Sequence, residues 1–171
     1  MAKEAILCIE AIGIGVIRLI GDKSNVCKKF AENLGIKQYY AKQKPLQKAD
    51  FIEDLRAKGN VVVMAGDGIN DSIALGKSNI AIAMGNGIDV AINISDIIIL
   101  DSSVNGILEA FKIGRKTFKF IKENLLISLL YNVITIPLAM LGYVIPLIAA
   151  IAMSLSSLIV VGNSMRIKSD S

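Results

Sequence analysis

Val61-Val62-Val63-Met64-Ala65-Gly66-Asp67-Gly68-Ile69-Asn70-Asp71 decides the fold. Its five leading apolar residues read as a strand buried on both faces. The run stops at Gly66-Asp67, which places Asp67 at the carboxyl end of that strand, where open α/β sheets bind their ligands. Gly66 and Gly68 allow a tight backbone path and the close approach of a phosphate. Asp71, at the start of the next helix, can turn back toward the same point. Two hard carboxylates, completed by water and phosphate oxygens, suit magnesium. Asp-Gly is also a hairpin signal, but the residues after Asp71 have helical rather than strand character.

On either side of this stretch, strands and helices alternate. Lys3–Ala11 reads as a helix and Val16–Ile20 as a strand. Ser24–Asn33 reads as a helix with Ser24 as its cap and Gly35 beyond its end. Gln38–Ala41 suits a short strand and Asp50–Lys58 a helix stopped by Gly59. Ile80–Met84 and Ile97–Leu100 repeat the buried-strand character, with a helix starting in Ile69–Leu75. This order predicts an α/β domain with a parallel sheet.

The chain of 171 residues is 53% hydrophobic, with a mean hydropathy of +0.57, and the apolar excess is concentrated at one end. No charged residue occurs between Glu123 and Arg166. That stretch exceeds the roughly 20 residues of one membrane span, and Gly142, Tyr143 and Pro146 offer a turn near its middle. Two helices are expected, about Leu125–Leu141 and about Ile145–Val161. Before them, 105–122 reads as an amphipathic helix with Ile107, Leu108, Phe111, Phe118 and Ile121 on its apolar side. The predicted organisation is thus an α/β part over 1–104, a connecting helix over 105–122, and a membrane hairpin with a short tail over 123–171.

The net charge of +4 does not indicate nucleic acid. Acids and lysines interleave, no aromatic residues interleave with them to stack bases, and the local excess (Lys112, Arg115, Lys116, Lys119, Lys122) directly precedes the apolar stretch. With Arg166 and Lys168 after it, the positive-inside rule puts both ends of the hairpin on the cytoplasmic face of the cell membrane. Cys8 and Cys27 have neither CxxC spacing nor a histidine to join them in a zinc site.

Met64-Ala65-Gly66-Asp67-Gly68-Ile69-Asn70-Asp71 resembles the GDGxND motif of P-type ATPases, within the haloacid-dehalogenase superfamily. Ile80-Ala81-Ile82-Ala83-Met84-Gly85 and Asp89-Val90-Ala91 are similar to the same family. The resemblance implies a haloacid-dehalogenase-like phosphorylation domain in which Asp67 and Asp71 bind magnesium, Asn70 helps hold the phosphorylated intermediate and Lys48, in Lys44-Pro45-Leu46-Gln47-Lys48, steadies phosphate. Ile20-Gly21-Asp22 resembles the TGD loop, with isoleucine in place of its threonine, which implies a supporting role for Asp22. The family's DKTGT, whose aspartate attacks ATP, does not occur in these residues, nor does its nucleotide-binding domain or its Cys-Pro-Cys motif. The resemblance therefore implies an incomplete domain whose sheet wants a further central strand, and a chain inactive in ATP hydrolysis until joined to a missing N-terminal half.

In the apolar stretch, Tyr131-Asn132 and Met153-Ser154-Leu155-Ser156-Ser157 are similar to the copper(I) branch of the heavy-metal pumps. Pro146-Leu147-Ile148-Ala149-Ala150-Ile151-Ala152-Met153-Ser154 most resembles members that supply copper to bacterial haem-copper oxidases. The implied transport site uses Tyr131, Asn132, Met153 and Ser157. A thioether suits a soft monovalent ion, and Ser157 shares a helical face with Met153. Packing is the competing explanation of small and polar residues in membrane helices. The expected function is copper(I) export driven by ATP. The alternatives are a non-enzymatic membrane protein that binds metal or regulates a partner, and a membrane-anchored phosphatase, which the missing nucleophile disfavours.

Overall fold

The computed structural model describes residues 2–21, 35–36, 38–67, 70–85, 89–101, 103–142 and 146–169. The chain divides into two compact units, Met1–Glu109 and Ala110–Ser171. The helix expected over Ser24–Asn33, and the residues Asp22 and Gly68, lie outside the described residues.

In the first unit, α1 (Ala2–Ala11) buries Ala5, Ile6 and Ile9 along one stripe. Gly13 ends its turn with a φ of +86°, a backbone state that a side chain would strain. β1 (Ile17–Leu19) pairs in parallel with β2 (Gln38–Tyr40). The next helix, α2 (Pro45–Ala57), starts a full turn before the expected Asp50. Proline is favoured in a first turn because its missing N–H has no helical partner to lose, and Gln47 Oε1 accepts the Lys44 N–H at 2.9 Å. That early start makes Lys48 a helical residue.

β3 (Val63–Gly66), α3 (Ser72–Lys77), β4 (Ile80–Met84), α4 (Asp89–Ile94) and β5 (Ile97–Ile99) follow. The three strands run in parallel, with Met64 opposite Ala81 and Ala83 opposite Ile98. Side chains secure the strand entrances: Asn79 Oδ1 accepts the Val62 N–H at 2.9 Å, and Asp96 Oδ2 accepts the Ala81 N–H at 2.8 Å. Ala49, Ile52, Met64, Ala74, Leu75 and Ala81 form a buried core against which Leu19 of β1 packs. The single expected sheet is, among the described residues, two parallel sheets, β1-β2 and β3-β4-β5. Both contribute to the same core although no described ladder joins them.

The long helix α5 (Val104–Met140) begins on an explicit cap. Ser103 Oγ accepts the Gly106 N–H at 3.1 Å, and its hydroxyl donates to Asp101 Oδ2 at 2.7 Å. Leu108 joins Ala5 and Ile9 of α1 in a second small core, with Val104 against it. The connecting helix runs straight into the first apolar helix as one continuous element, and Pro137 does not interrupt it. Its apolar part is long enough to cross a membrane, and none of that stretch is buried. The last helix, α6 (Pro146–Ser169), outruns the expected end at Val161. Its described apolar part, Ala150–Arg166, is shorter.

Within the second unit, α5 and α6 are joined by polar groups near their charged ends. Asn124 Nδ2 donates to Ser164 Oγ at 2.8 Å, and Asn163 Nδ2 donates to Asn124 Oδ1 at 2.9 Å. Arg166 Nη1 reaches Asn163 Oδ1 at 3.4 Å, while its guanidinium lies 5.8 Å from the centre of the buried Phe120 ring. Side-chain amides in apolar helices need such partners, because lipid offers none.

Candidate functional site

The candidate catalytic residues meet where β3 ends. Gly66 is the last residue of that strand and is buried, Asp67 follows it exposed, and Asp71 sits at the start of α3. From α2, Lys48 extends its ammonium to Asp71, with Nζ 2.6 Å from Oδ1. The Lys48 side chain is 9% exposed and that of Asp71 15%. Lys48 is the buried charged residue among those described. An ammonium so enclosed is tolerable because a carboxylate accepts from it directly.

Gly66 answers to this carboxylate. A Cβ there would lie 2.7 Å from Asp71 Oδ2 and 2.9 Å from Asp71 Cβ, closer than real Cβ atoms approach. Space for Asp71, rather than an unusual backbone angle, is what requires glycine. Asp71 is thus held through Oδ1 by Lys48, with Oδ2 lying close beside the strand end. Gly66 also lies close to a side chain, a contact that spacing alone did not disclose.

Two carboxylates with no soft ligand nearby form a donor set that fits magnesium, which takes hard oxygen donors and keeps several waters. Among the described residues no group of three or more His, Cys, Asp or Glu could serve a metal without such outside donors. Asn70 lies in the turn between Asp67 and α3 and is exposed. Lys48, Asp67, Asn70 and Asp71 are thus placed at one end of the three-stranded sheet.

The expected transport residues lie in the second unit. The Asn124–Ser164 contact sets the register of α5 against α6. Tyr131 is seven residues after Asn124, and Ser157 is seven before Ser164. Both are about two turns, or about 10 Å, from the contact. Asn132 falls near the same level, while Met153 lies about one turn, or about 6 Å, farther from the contact. Asn124, Ser128, Tyr131 and Thr135 form a half-buried face of α5, while Ala152, Ser156, Val160 and Asn163 do so on α6. Asn132, Met153 and Ser157 are exposed. The hydroxyl of Ser157 donates to the Met153 carbonyl at 3.1 Å, and that of Thr135 to the Tyr131 carbonyl at 2.8 Å. Among the described residues no hydrogen bond joins Tyr131 or Asn132 to Met153 or Ser157. The two helices place Tyr131, Asn132 and Ser157 near one depth and Met153 about one turn beyond.

The sequence of residues 1–79 matches the haloacid dehalogenase-like hydrolase family model. A probable cation-transporting ATPase of Haemophilus influenzae is 40% identical over 165 residues, covering 96% of this chain and 23% of that protein. A copper-transporting ATPase of Helicobacter felis is 37% identical over 173 residues, covering 98% of this chain and 24% of that protein. The chain therefore spans about a quarter of the length of these relatives. Among solved structures, a zinc-transporting PIB-type ATPase in its E2.Pi state superposes with a TM-score of 0.88 at 28% identity, covering 96% of this chain and 27% of that one. The fold is that of a haloacid-dehalogenase-like phosphorylation domain followed by a long apolar helix.

Proposed function

We propose that the chain belongs to the heavy-metal P-type ATPases and forms the C-terminal portion of a pump that exports copper(I) with ATP, a reading that its fold and its relatives support. The observation that carries this reading is the Lys48–Asp71 pair beside Gly66 and Asp67 at the end of β3. In such a pump an aspartate from a DKTGT segment takes the phosphoryl group from ATP, and these 171 residues do not contain that segment. What they contribute is the receiving surface around it.

Asp67 and Asp71 would hold magnesium, which when bound neutralises charge on the phosphoryl oxygens. Lys48 has three N–H donors. One is engaged by Asp71 and keeps that carboxylate aimed, and the others are available to phosphate oxygens. Asn70 presents an amide donor from the adjoining turn, and the resemblance of Ile20-Gly21-Asp22 to the TGD loop assigns Asp22 a supporting role at the same centre. Burial of Lys48 keeps water from competing for its donors, which strengthens each contact. Positioning and charge stabilisation are the main contributions a protein makes to this kind of transfer.

Copper as cargo is supported by the named substrate of the Helicobacter felis relative and by the thioether of Met153 among the membrane residues. Tyr131, Asn132 and Ser157 lie within about one turn of its level, and exposed positions there would accept ligands from helices outside this chain. The Pro146–Ser154 string supports placing the pump among those that feed haem-copper oxidases. α5 and α6 both cross the membrane in this reading, with the two ends of the hairpin cytoplasmic.

Co-expression with an N-terminal fragment carrying DKTGT, followed by incubation with labelled ATP, tests the reading. The expected result is acid-stable label on the added fragment, none on this chain alone, and copper(I)-dependent turnover that zinc does not support. Label on this chain by itself would overturn it, as would a complemented pump indifferent to Asp67→Asn.

A further inference from the structure

One side of α5 just before its apolar part carries a cationic groove that neither phosphoryl transfer nor metal transport uses. Arg115, Phe118, Lys119, Lys122, Glu123 and Leu126 line it, around a volume of about 360 Å³. These positions recur at three- and four-residue steps, so they share one helical face. Lys122 Nζ lies 4.6 Å from the centre of the Phe118 ring, and Phe118 is 58% exposed. Lys119 is 76% exposed and only loosely paired, 3.9 Å from Glu123 Oε1. Glu123 Oε2 is turned to the other helix, where Asn163 Nδ2 reaches it at 3.4 Å. Lys119 and Lys122 thus stand beside one carboxylate that is partly engaged elsewhere.

The apolar side chains begin immediately beyond. Leu125 and Leu126 are 68% and 58% exposed, and the helix continues with a surface suited to lipid. Lys119 and Lys122 therefore fall within about two turns of the hydrocarbon edge, at headgroup level. An aromatic ring between cations at that level has a place for glycerol and acyl carbons, with ammonium groups above for phosphate. Charge complementarity, and the order of cation, ring and leucine along one face, select the occupant.

We infer that this groove binds the headgroup of an anionic phospholipid from the cytoplasmic leaflet. The site reads phosphate through Lys119 and Lys122, and Arg115 adds long-range attraction one turn farther out. Phe118 and Leu126 form its floor. Lys112 and Lys116 lie on the neighbouring face and farther from the lipid, so their charges contribute less.

The test is native mass spectrometry of the full chain in detergent, titrated with phosphatidylglycerol or with phosphatidylcholine. The expected result is preferential phosphatidylglycerol adducts that inorganic phosphate does not displace. Lys119→Gln with Lys122→Gln should weaken them about tenfold or more, from about 1 kcal/mol for each cation near the surface. Lys112→Gln with Lys116→Gln removes the same charge and should weaken them several-fold less. Equal binding of the two lipids, or an equal loss in the two double variants, would overturn the proposal. If the glutamine pair at 119 and 122 loses helicity by circular dichroism, Lys119→Arg with Lys122→Arg decides. Retained phosphatidylglycerol preference in that variant supports the site, and its loss overturns it.

Discussion

Lys48 and Asp71 come from two different helices and meet with 2.6 Å between Nζ and Oδ1 at the end of β3. Neither helix needs this contact for its own hydrogen bonds. Its consequence is a carboxylate whose direction is set before any ligand arrives. Asp71→Asn or Lys48→Met alone should each lower stability by about 2–4 kcal/mol, since each leaves an enclosed charge without its partner. The double variant should recover at least half of that loss. Urea titration of the detergent-solubilised chain, followed by circular dichroism, measures both. Additive losses would mean that the pair contributes no coupling.

Gly66→Ala should be costly and Gly76→Ala should not. The first puts a methyl group 2.7 Å from Asp71 Oδ2, and displacement of packed atoms of this sort costs about 1–3 kcal/mol. The second meets nothing within 4 Å in a helix interior, where alanine is favoured by about 0.5–1 kcal/mol. Magnesium titration of the two variants by calorimetry, with a phosphate analogue present, should separate them further. Weakened binding is expected only for the substitution at 66.

Glu53 pairs with Lys77 across α2 and α3. The hydrogen bond from Lys77, and then its positive charge, hold the Glu53 carboxyl below its ordinary 4.5. A carboxyl depressed in the folded state stabilises above its unfolded value and loses that contribution as pH falls through the folded one. Stability should therefore decline more steeply below about pH 4.5 in the parent chain than in Glu53→Gln. The pair is about half exposed, so added salt should shrink the difference. Thermal unfolding at several pH values reads this out, and identical pH profiles would remove the pair from the account.

Asn124→Ala and Asn163→Ala should be coupled. Hydrogen bonds between membrane helices contribute about 0.6–1.7 kcal/mol each, and these two residues share one. A double-mutant cycle measured by unfolding in mixed micelles should give an interaction energy within that range. A value of zero would mean that the α5–α6 pairing is held by packing alone.

Membrane crossing by both helices is checked by single cysteines at Lys116, Tyr143 and Lys168 in a chain whose Cys8 and Cys27 are replaced by serine. Positions 116 and 168 should react from the cytoplasmic side and 143 from the other. Reaction of 143 together with 116 would leave α5 lying at the surface.

The parallel strands around Gly66-Asp67 were legible because an unbroken apolar run has few alternatives beside a Gly-Asp turn. The placement of Asp67 and Asp71 about one strand end was legible because the two carboxylates, four residues apart, straddle that turn. The expected start of α2 at Asp50 lies a turn too late because Pro45, at the first helical position, promotes the helix there. α4, with six residues, is too short for a hydrophobic period to register. The polar join between Asn124 and Asn163 was invisible for a different reason. Both asparagines sit at the margins of the charge-free stretch, where polarity alone suggests a flank. Their pairing depends on the register of two helices that only coordinates supply. The role of Gly66 likewise depends on a side chain five residues away.

That register has an evolutionary reading. Asn124 and Ser164 act as a common origin from which each helix is counted in steps of seven residues. Substitutions along the outward faces leave the count intact, so drift there should be tolerated. A single inserted residue between 125 and 131, or between 157 and 163, would instead turn everything beyond it by about 100° and desynchronise the two counts. Length in these two short intervals should therefore be the invariant of the hairpin among its descendants, more so than the identity of most residues within them.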